Sequence, residues 1–536
     1  MDRETLFNSI NQKLAANDID GAIDLAEVAV ALGESHPTLF NLCAHRLETQ
    51  GDFEGSLKLL DQAHQLAPKD ASILNAIGQS WLKQAAPRNA LRAFAAALTY
   101  EPNFPPAHHG AGLALRALGD VAEARTAQMR AAQLDPNYPD PRGALAILAL
   151  HERKWDEARA HAEAALRLDP TEPAAFLVLA TLEGEAGHHE AVAKMIAEGI
   201  NRPNIAPLQR AALDRLHGDA LDALGRYDEA FAAYSDGAAI LRAIYAPQHA
   251  GEGDEAALDL ANRIRREFDQ DIKAFPAPHT AAARPEVNHV FLVGFPRSGT
   301  TLLEQILASH PQVVALEEKP TLNPEITEFF LDQDSLSGLM NLSEAEIETR
   351  VAAYWARIAD YGIDVAGKTF VDKQPSMTLY LPLIAKLFPK AKIIFARRDP
   401  RDVVLSCFRR GFEMNRTTYD FADLERLSAY YAATMDLAEV YFETLPLTFH
   451  VHSHEAMIAD FDGQIAKLCE AIGLDFDENM RNFVETAKQR DIRTPSAGQV
   501  VQGLNASGVG YWRNYERHMG PAIEILQPWI NKYGYA

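Results

Sequence analysis

The sequence predicts an α-helical solenoid over residues 1–245 and an α/β domain with a mostly parallel sheet over 288–536, with a helix and linker at 246–287 between them. Three observations carry this. Prolines stand at 68, 102, 136 and 170, one every 34 residues. The stretch FPAPHTAAARPEVNH (275–289) is rich in Pro and Ala, as linkers are, and short β-rich runs alternate with helical ones after it. The run HVFLV (289–293) leads into a glycine-containing loop, GFPRSGTT (294–301), and then into TLLEQILASHP, a helix stopped by Pro311. With 536 residues the chain exceeds the roughly 250–300 at which one hydrophobic core stops growing, so more than one domain is expected.

At 47% hydrophobic and 23% charged, the composition is that of a folded protein rather than a disordered one. The 51 Lys and Arg against 74 Asp and Glu leave a net charge of −23, a field that repels nucleic acid and anionic membranes. An anionic ligand therefore has to meet a local basic patch. Cys43, Cys407 and Cys469 lie far apart, too few for a disulfide framework and without zinc-ligand spacing. A reducing, cytoplasmic setting without a metal is expected. The start, MDRETLFNSINQKL, shows early acidic residues and no secretory signal. No run of about 18 apolar residues occurs; GALAILAL (143–150) is among the longest.

Each of the four prolines closes a similar phrase: QLAP, TYEP, QLDP, RLDP. Small residues keep the same phase at Ala44, Gly78, Gly112 and Ala146, at Ala63, Ala97, Ala131 and Ala165, and at Ser56, Ala90, Ala124 and Ala158. Antiparallel helices approach closely only where side chains are small, and a proline at the end of the second helix stops it. The pattern resembles the tetratricopeptide repeat, a helix–turn–helix unit stacked into a solenoid. Four units are clear over 37–172, with degenerate ones at 173–206 and around 217–231 and a capping unit at 4–36. The last repeat helix is expected to end near 245. The resemblance implies a concave face that binds a protein or peptide; a scaffold or homodimer arm is equally compatible.

Strand, glycine loop and helix together form an anion site, because backbone N–H groups and the positive helix end point at the ligand. The form here is G-x-x-x-x-G-T-T, with Thr300 where nucleotide triphosphatases carry Lys. The string PRSGTTLL is similar to the 5′-phosphosulfate loop of sulfotransferases, which use 3′-phosphoadenosine-5′-phosphosulfate (PAPS). On that resemblance Arg297, Ser298, Gly299, Thr300 and Thr301 would hold the donor.

A second basic element, AKIIFARRDPRDVVLSCFRRGF (391–412), reads as strand, turn at Asp399-Pro400, and helix. Arg398 at the strand end and Ser406 two turns into the helix can reach one phosphate at the switch between strands and helices. The pattern looks like the sulfotransferase 3′-phosphate element, and Arg410 matches an arginine of its tyrosylprotein branch.

The resemblance is closest to tyrosylprotein sulfotransferases, whose second Glu of an EE pair is the base. That places Glu318, 21 residues after Arg297, in the role. Here Lys319-Pro320 follow where that family has Thr-Arg. Lys373 aligns with the lysine that neutralises the leaving oxygen, and Ser496 with the serine that helps bind the sulfonate. Sulfuryl transfer, by analogy with phosphoryl transfer, asks the protein mainly to position groups and stabilise charge. The tail GLNASGVGYWRNYE (503–516) falls where the family closes a loop over PAPS, but Asn505-Ala506-Ser507 and Tyr511 replace its basic residues. His454 and Glu455, at the family's strand-end Tyr-Glu-Asp position, are read as structural.

The expected function is thus PAPS-dependent transfer to a hydroxyl, with protein or peptide tyrosine presented by the repeats. Alternatives are a carbohydrate, lipid or small-metabolite acceptor with the repeats used for assembly, a nucleotide kinase with Asp372 as a Walker-B-like acid, and a non-catalytic scaffold.

Overall fold

The computed structural model describes residues 3–16, 18–50, 52–84, 86–201, 205–249, 255–271, 275, 287–331, 336–490 and 503–535. The chain divides into two compact units between Gln209 and Arg210.

The first unit is a run of antiparallel helix pairs: α1 (Arg3–Ala15) with α2 (Ile19–Ala31), α3 (Pro37–Thr49) with α4 (Phe53–Leu66), and α5 (Ala71–Lys83) with α6 (Pro87–Tyr100). They continue as α7 (Pro105–Leu118) with α8 (Val121–Leu134), α9 (Asp140–His151) with α10 (Trp155–Leu168), and α11 (Pro173–Glu185) with α12 (His189–Gly199). Each phased proline lies two residues beyond the end of α4, α6, α8 or α10, where its ring cannot extend the helix. The small-residue series forms the contact seam. Ala63, Ala90, Ala97, Ala124, Ala131, Ala158 and Ala165 are all fully buried. Phe94 of α6 fills the slot that two glycines leave. A Cβ on Gly78 would stand 2.5 Å from its ring, and one on Gly110 2.4 Å.

The second unit opens with α13 (Pro207–Ala223), whose first residues precede the division, α14 (Tyr227–Tyr245) and α15 (Ala257–Asp271). The last repeat helix does end at Tyr245, but α13 and α14 pack with the sheet unit. Sequence phase follows the repeat's ancestry of pattern, whereas compactness follows what the helices touch. Helix α15, expected only as part of a connecting stretch, buries Leu260, Ile264 and Phe268 in the core beneath the sheet.

Five parallel strands follow: β1 (Asn288–Gly294), β2 (Val313–Glu317), β3 (Thr369–Lys373), β4 (Lys392–Arg397) and β5 (Thr448–Ser453), in the order β2-β3-β1-β4-β5. The central strand is covered on both faces, which is why it reads as an unbroken apolar run. Phe291 and Val293 enter one core, with α15, α17 (Glu344–Asp360) and α19 (Leu424–Thr444). Val290 and Leu292 enter the other, with α16 (Thr300–Ala308) and the helix Phe461–Ile472. Helix α18 (Pro400–Arg409) follows β4. The helix expected at SMTLYLPLIAKLF begins instead as a tight 3-10 turn, Pro375–Tyr380, because Pro382 resets the start of the α-helix to Leu381–Leu387. No described helix is long and apolar enough to cross a membrane.

Gly110→Ala is expected to destabilise the first unit by about 1–3 kcal/mol through overpacking against Phe94. Gly184→Ala, at a helical position with open space around it, should instead stabilise by up to about 1 kcal/mol. Thermal unfolding of the two variants, which should move in opposite directions, tests the seam.

Candidate active site

All five strands deliver a residue to their carboxyl edge, where open α/β sheets bind ligands. Beyond β1 lies the loop 294–301; beyond β2, Glu318; at the end of β3, Lys373; beyond β4, Arg398; beyond β5, His454. A cavity of about 550 Å³ opens there, lined by Arg297, Gly299, Thr300, Thr301, Glu318, Arg398, Ser406 and Arg410 among others.

The loop is built by two residues with left-handed backbone, Arg297 at φ 69° and Gly299 at φ 94°. Gly299 is required twice over, since a Cβ there would also stand 2.8 Å from His454 Nδ1. As the N-cap of α16 it offers no side chain to cap the first turn, so the first-turn amides, which have no intrahelical partner, face the cavity end of the helix. Ser298 departs from expectation. Its hydroxyl donates to Phe295 O at 2.6 Å and its N–H to the same carbonyl at 3.1 Å, so it braces the loop from within and does not line the cavity.

The two basic elements meet. Arg297 Nε donates to Ser406 Oγ at 3.0 Å, and Arg398 Nη1 donates to Arg297 O at 3.3 Å. Arg398 Nη2 also donates to Gly508 O, in the tail. Burial, and then the charges of Arg410, Arg398 and Arg409, push the Arg297 guanidinium down to about 10. Among the described residues no carboxylate pairs with Arg410. Arg397 and Arg401 serve the fold instead: Arg397 stacks 4.4 Å over Tyr533, and Arg401 pairs with Asp399 at 2.8 Å and stacks 4.1 Å over Trp512.

Lys373 is fully buried and does not itself line the cavity. Its Nζ lies 2.6 Å from Glu318 Oε1, 3.4 Å from Glu304 Oε2 and 3.5 Å from Glu317 Oε1. Burial pushes the ammonium down, but the three carboxylates more than reverse this and hold it above its usual value. Glu318 is turned to the cavity by a left-handed backbone, φ 44°, while its N–H continues the β2–β3 ladder to Lys373 O at 2.9 Å. Its side chain keeps 41% exposure, so the carboxylate can meet both a ligand and the buried ammonium.

Asp372 is buried as a hydrogen-bond node. Thr321 Oγ1 and Tyr354 OH both donate to it at 2.9 Å, and burial pushes it up to about 6. It does not line the cavity, and both bonds tie it to the core. Glu455 is structural as expected, accepting from Asp399 N at 2.8 Å and Tyr535 OH at 2.8 Å. His454 lines the cavity; burial, then Arg398 and His452, hold its ring neutral at about 3. Arg409 and Asp222 also line the cavity and were not singled out in the sequence. Arg409 was findable, three residues beyond Ser406 on the same helical face; Asp222, 187 residues earlier, left no signal. Ser496 lies outside the described residues. No group of three or more His, Cys, Asp or Glu suited to a metal occurs among the described residues.

Lys373→Met is expected to cost about 3 kcal/mol, because Glu304, itself fully buried, loses one of its two cationic partners and keeps only Arg490 at 3.0 Å. Burial already raises the Glu304 carboxyl, opposed by Lys373 and Arg490. An acid whose folded pKa lies above its unfolded one contributes stability at low pH and loses it as pH rises. The deficit of Lys373→Met, read by urea unfolding, should therefore be larger at pH 8 than at pH 5.

Residues 289–478 match the family model described as sulfotransferase family, and residues 105–138 match the tetratricopeptide repeat. The chain is 29% identical over 257 residues to an uncharacterized protein of Aquifex aeolicus, covering 46% of this chain and 33% of that one. It is 24% identical to protein-tyrosine sulfotransferase A of Caenorhabditis elegans, over 46% of this chain and 67% of the relative. To human protein-tyrosine sulfotransferase 1 it is 28% identical, over 26% of this chain and 40% of the relative. The chain thus spans only part of the length of these relatives. With two arginine-bearing turns at one sheet edge and both family models matched, residues 289–478 form a domain of the sulfotransferase family and residues 105–138 a tetratricopeptide repeat.

Proposed function

We propose that the sheet unit transfers the sulfuryl group of PAPS to a hydroxyl, with protein or peptide tyrosine as the acceptor. The observation that carries this is the convergence of two anion elements on one cavity with a carboxylate at its rim. Arg297 and the first turn of α16 form one element, and Arg398, Ser406 and Arg410 the other. Arg297, Arg398 and Arg410 line one cavity with like charges, which an anion would offset. A donor carrying phosphate at both ends of its ribose fits that arrangement, since each element then holds one dianion. The donor supplies an activated sulfuryl group on a 5′-phosphate bridge.

Glu318 accepts the acceptor's proton as the hydroxyl oxygen bonds to sulfur and the sulfur–bridge oxygen bond breaks, its electron pair going to the phosphate. A free phenol, with a pKa near 10, is a far weaker acid than a carboxylic acid, so proton transfer and bond formation go together. Protonation of Glu318 cancels the charge that Lys373 Nζ holds at 2.6 Å. The ammonium is then released toward the oxygen on which charge develops, while Glu304 and Glu317 keep it protonated. The repeats present the acceptor; such repeats commonly bind proteins.

One observation favours a second acceptor class. Gln374, Ser376, Asn415, Thr417 and Thr418 line the cavity with uncharged hydroxyl and amide groups, a wall that also suits a carbohydrate. Incubating lysate with ³⁵S-labelled PAPS and the full chain separates the two: label in protein bands supports tyrosine, label in glycan or lipid the second.

Arg398→Ala should weaken 3′,5′-ADP far more than 5′-AMP in calorimetric titrations; equal weakening of both would remove the 3′-phosphate assignment. Glu318→Ala should bind 3′,5′-ADP normally and lose about 10²–10⁴ in turnover. Unchanged turnover would exclude Glu318 as the base.

A further inference from the structure

We infer that Asp222 is a positioning residue of the donor pocket, through which the helix pair α13–α14 anchors the tail segment 503–512 over that pocket. The inference rests on the proposed donor reading for its ligand and on geometry alone for the anchoring.

Asp222 stands at the end of α13 with a side chain only 13% exposed. Its Oδ2 accepts from Arg409 Nη2, its Oδ1 from Tyr515 OH, and both oxygens from Tyr511 OH at 2.9 and 3.0 Å. The guanidinium of Arg409 in turn lies 4.9 Å from the centroid of the Tyr511 ring, 5.2 Å from Tyr515 and 5.5 Å from Tyr234. Asp222, Arg409 and Tyr511 all line the cavity. The fit is close: a Cβ on Gly411, just after Arg409-Arg410, would stand 2.7 Å from Arg215 Nε of α13.

The tail is thereby tied at two points on either side of a short span. Gly508 O accepts from Arg398, and Asp402 accepts from Gly510 N at 2.7 Å and Trp512 N at 2.9 Å. Tyr511 is held by Asp222. Immediately before these anchors and up to the first of them, Gly503, Asn505, Ser507 and Gly508 form one wall of the cavity. Asp222 also decides which cations a ligand meets. Paired with this carboxylate, Arg409 is committed to the wall, leaving Arg297, Arg398 and Arg410 for an anion. Where a basic residue might have reached the donor directly from position 511, a tyrosine instead reaches outward to an aspartate and brings the strap down.

The test uses the full chain carrying Asp222→Asn, which keeps shape and one acceptor oxygen but cannot offset Arg409. Losing charge-assisted bonds of this kind corresponds to about tenfold in affinity. The expected result is a tenfold rise in the dissociation constant for 3′,5′-ADP and in KM for PAPS, with kcat within about threefold. Asp222→Glu should recover part of the loss. Hydrogen exchange at 508–512 should be faster in Asp222→Asn than in the parent, with or without nucleotide. Unchanged affinity and unchanged exchange in a folded variant would overturn the inference, as would loss of kcat at constant KM. Should Asp222→Asn fail to fold, Tyr511→Phe removes only the hydroxyl, and unaltered exchange at 508–512 there overturns it equally. A parent protein that binds no 3′,5′-ADP sinks the donor reading, while the exchange comparison still decides the anchoring.

Discussion

Four guanidinium groups, those of Arg297, Arg398, Arg409 and Arg410, face one cavity, and their mutual repulsion is the constraint around which the sheet edge is organised. In a chain of net charge −23 nothing general prevents neutralising each with a carboxylate, yet that would fill the site with its own counter-ions. The structure satisfies the guanidinium donors largely with neutral oxygens. Arg297 uses the Ser406 hydroxyl, and Arg398 uses the carbonyls of Arg297 and Gly508, with Asp402 no nearer than 4.0 Å. Among the described residues Arg409 receives a close carboxylate, that of Asp222. Carbonyl and hydroxyl partners hold the geometry without cancelling the charge, so the field stays available to an anionic ligand.

Across the cavity the problem is inverted. Lys373 is a cation with no exposure, surrounded by Glu304, Glu317 and Glu318. Three carboxylates around one ammonium are an excess of negative charge, which Arg490, 3.0 Å from Glu304, offsets in part and one partly solvated member relieves further. That member is Glu318, the residue whose backbone is forced to φ 44°. Strain of this kind persists where the surroundings over-determine it. Here the parallel ladder from Glu317 into Lys373 O does so, turning the carboxylate outward while leaving it bonded to the ammonium behind.

The repeats were legible because close helix packing writes a period into the sequence: Gly78 and the phased alanines are small because Phe94 and its counterparts need the room. The two anion elements were legible because each is local, a strand and the turn that follows it, with Arg297 or Arg398 at the turn. What stayed hidden is what depends on chain segments meeting from far apart. Asp222 lies in a stretch that reads as a late, irregular repeat, and only the fold brings it to Arg409 and Tyr511. That the Ser298 hydroxyl turns into its own loop while His454 lines the cavity was hidden for a related reason. Which side of a turn faces a cavity depends on the backbone dihedrals of that turn, and the residue type alone does not carry them.

Helices α13 and α14 show how one element can obey two sets of rules. Toward each other they keep the logic of the repeats. A Cβ on Gly218 would stand 2.5 Å from the Tyr234 ring, and Gly237 lies close enough to Ala211 that a Cβ would be 3.0 Å from its carbonyl. Outward they present Asp222, Tyr227 and Phe231, which meet Tyr511, Tyr515, Phe408 and His518 of the sheet unit. The irregular spacing of this pair in the sequence follows from that second obligation. One face of the pair keeps the small-residue packing of a repeat, while the other meets the tail and α18. Where a repeat departs from its period, the side chains that break the pattern are those that meet an element outside the repeats.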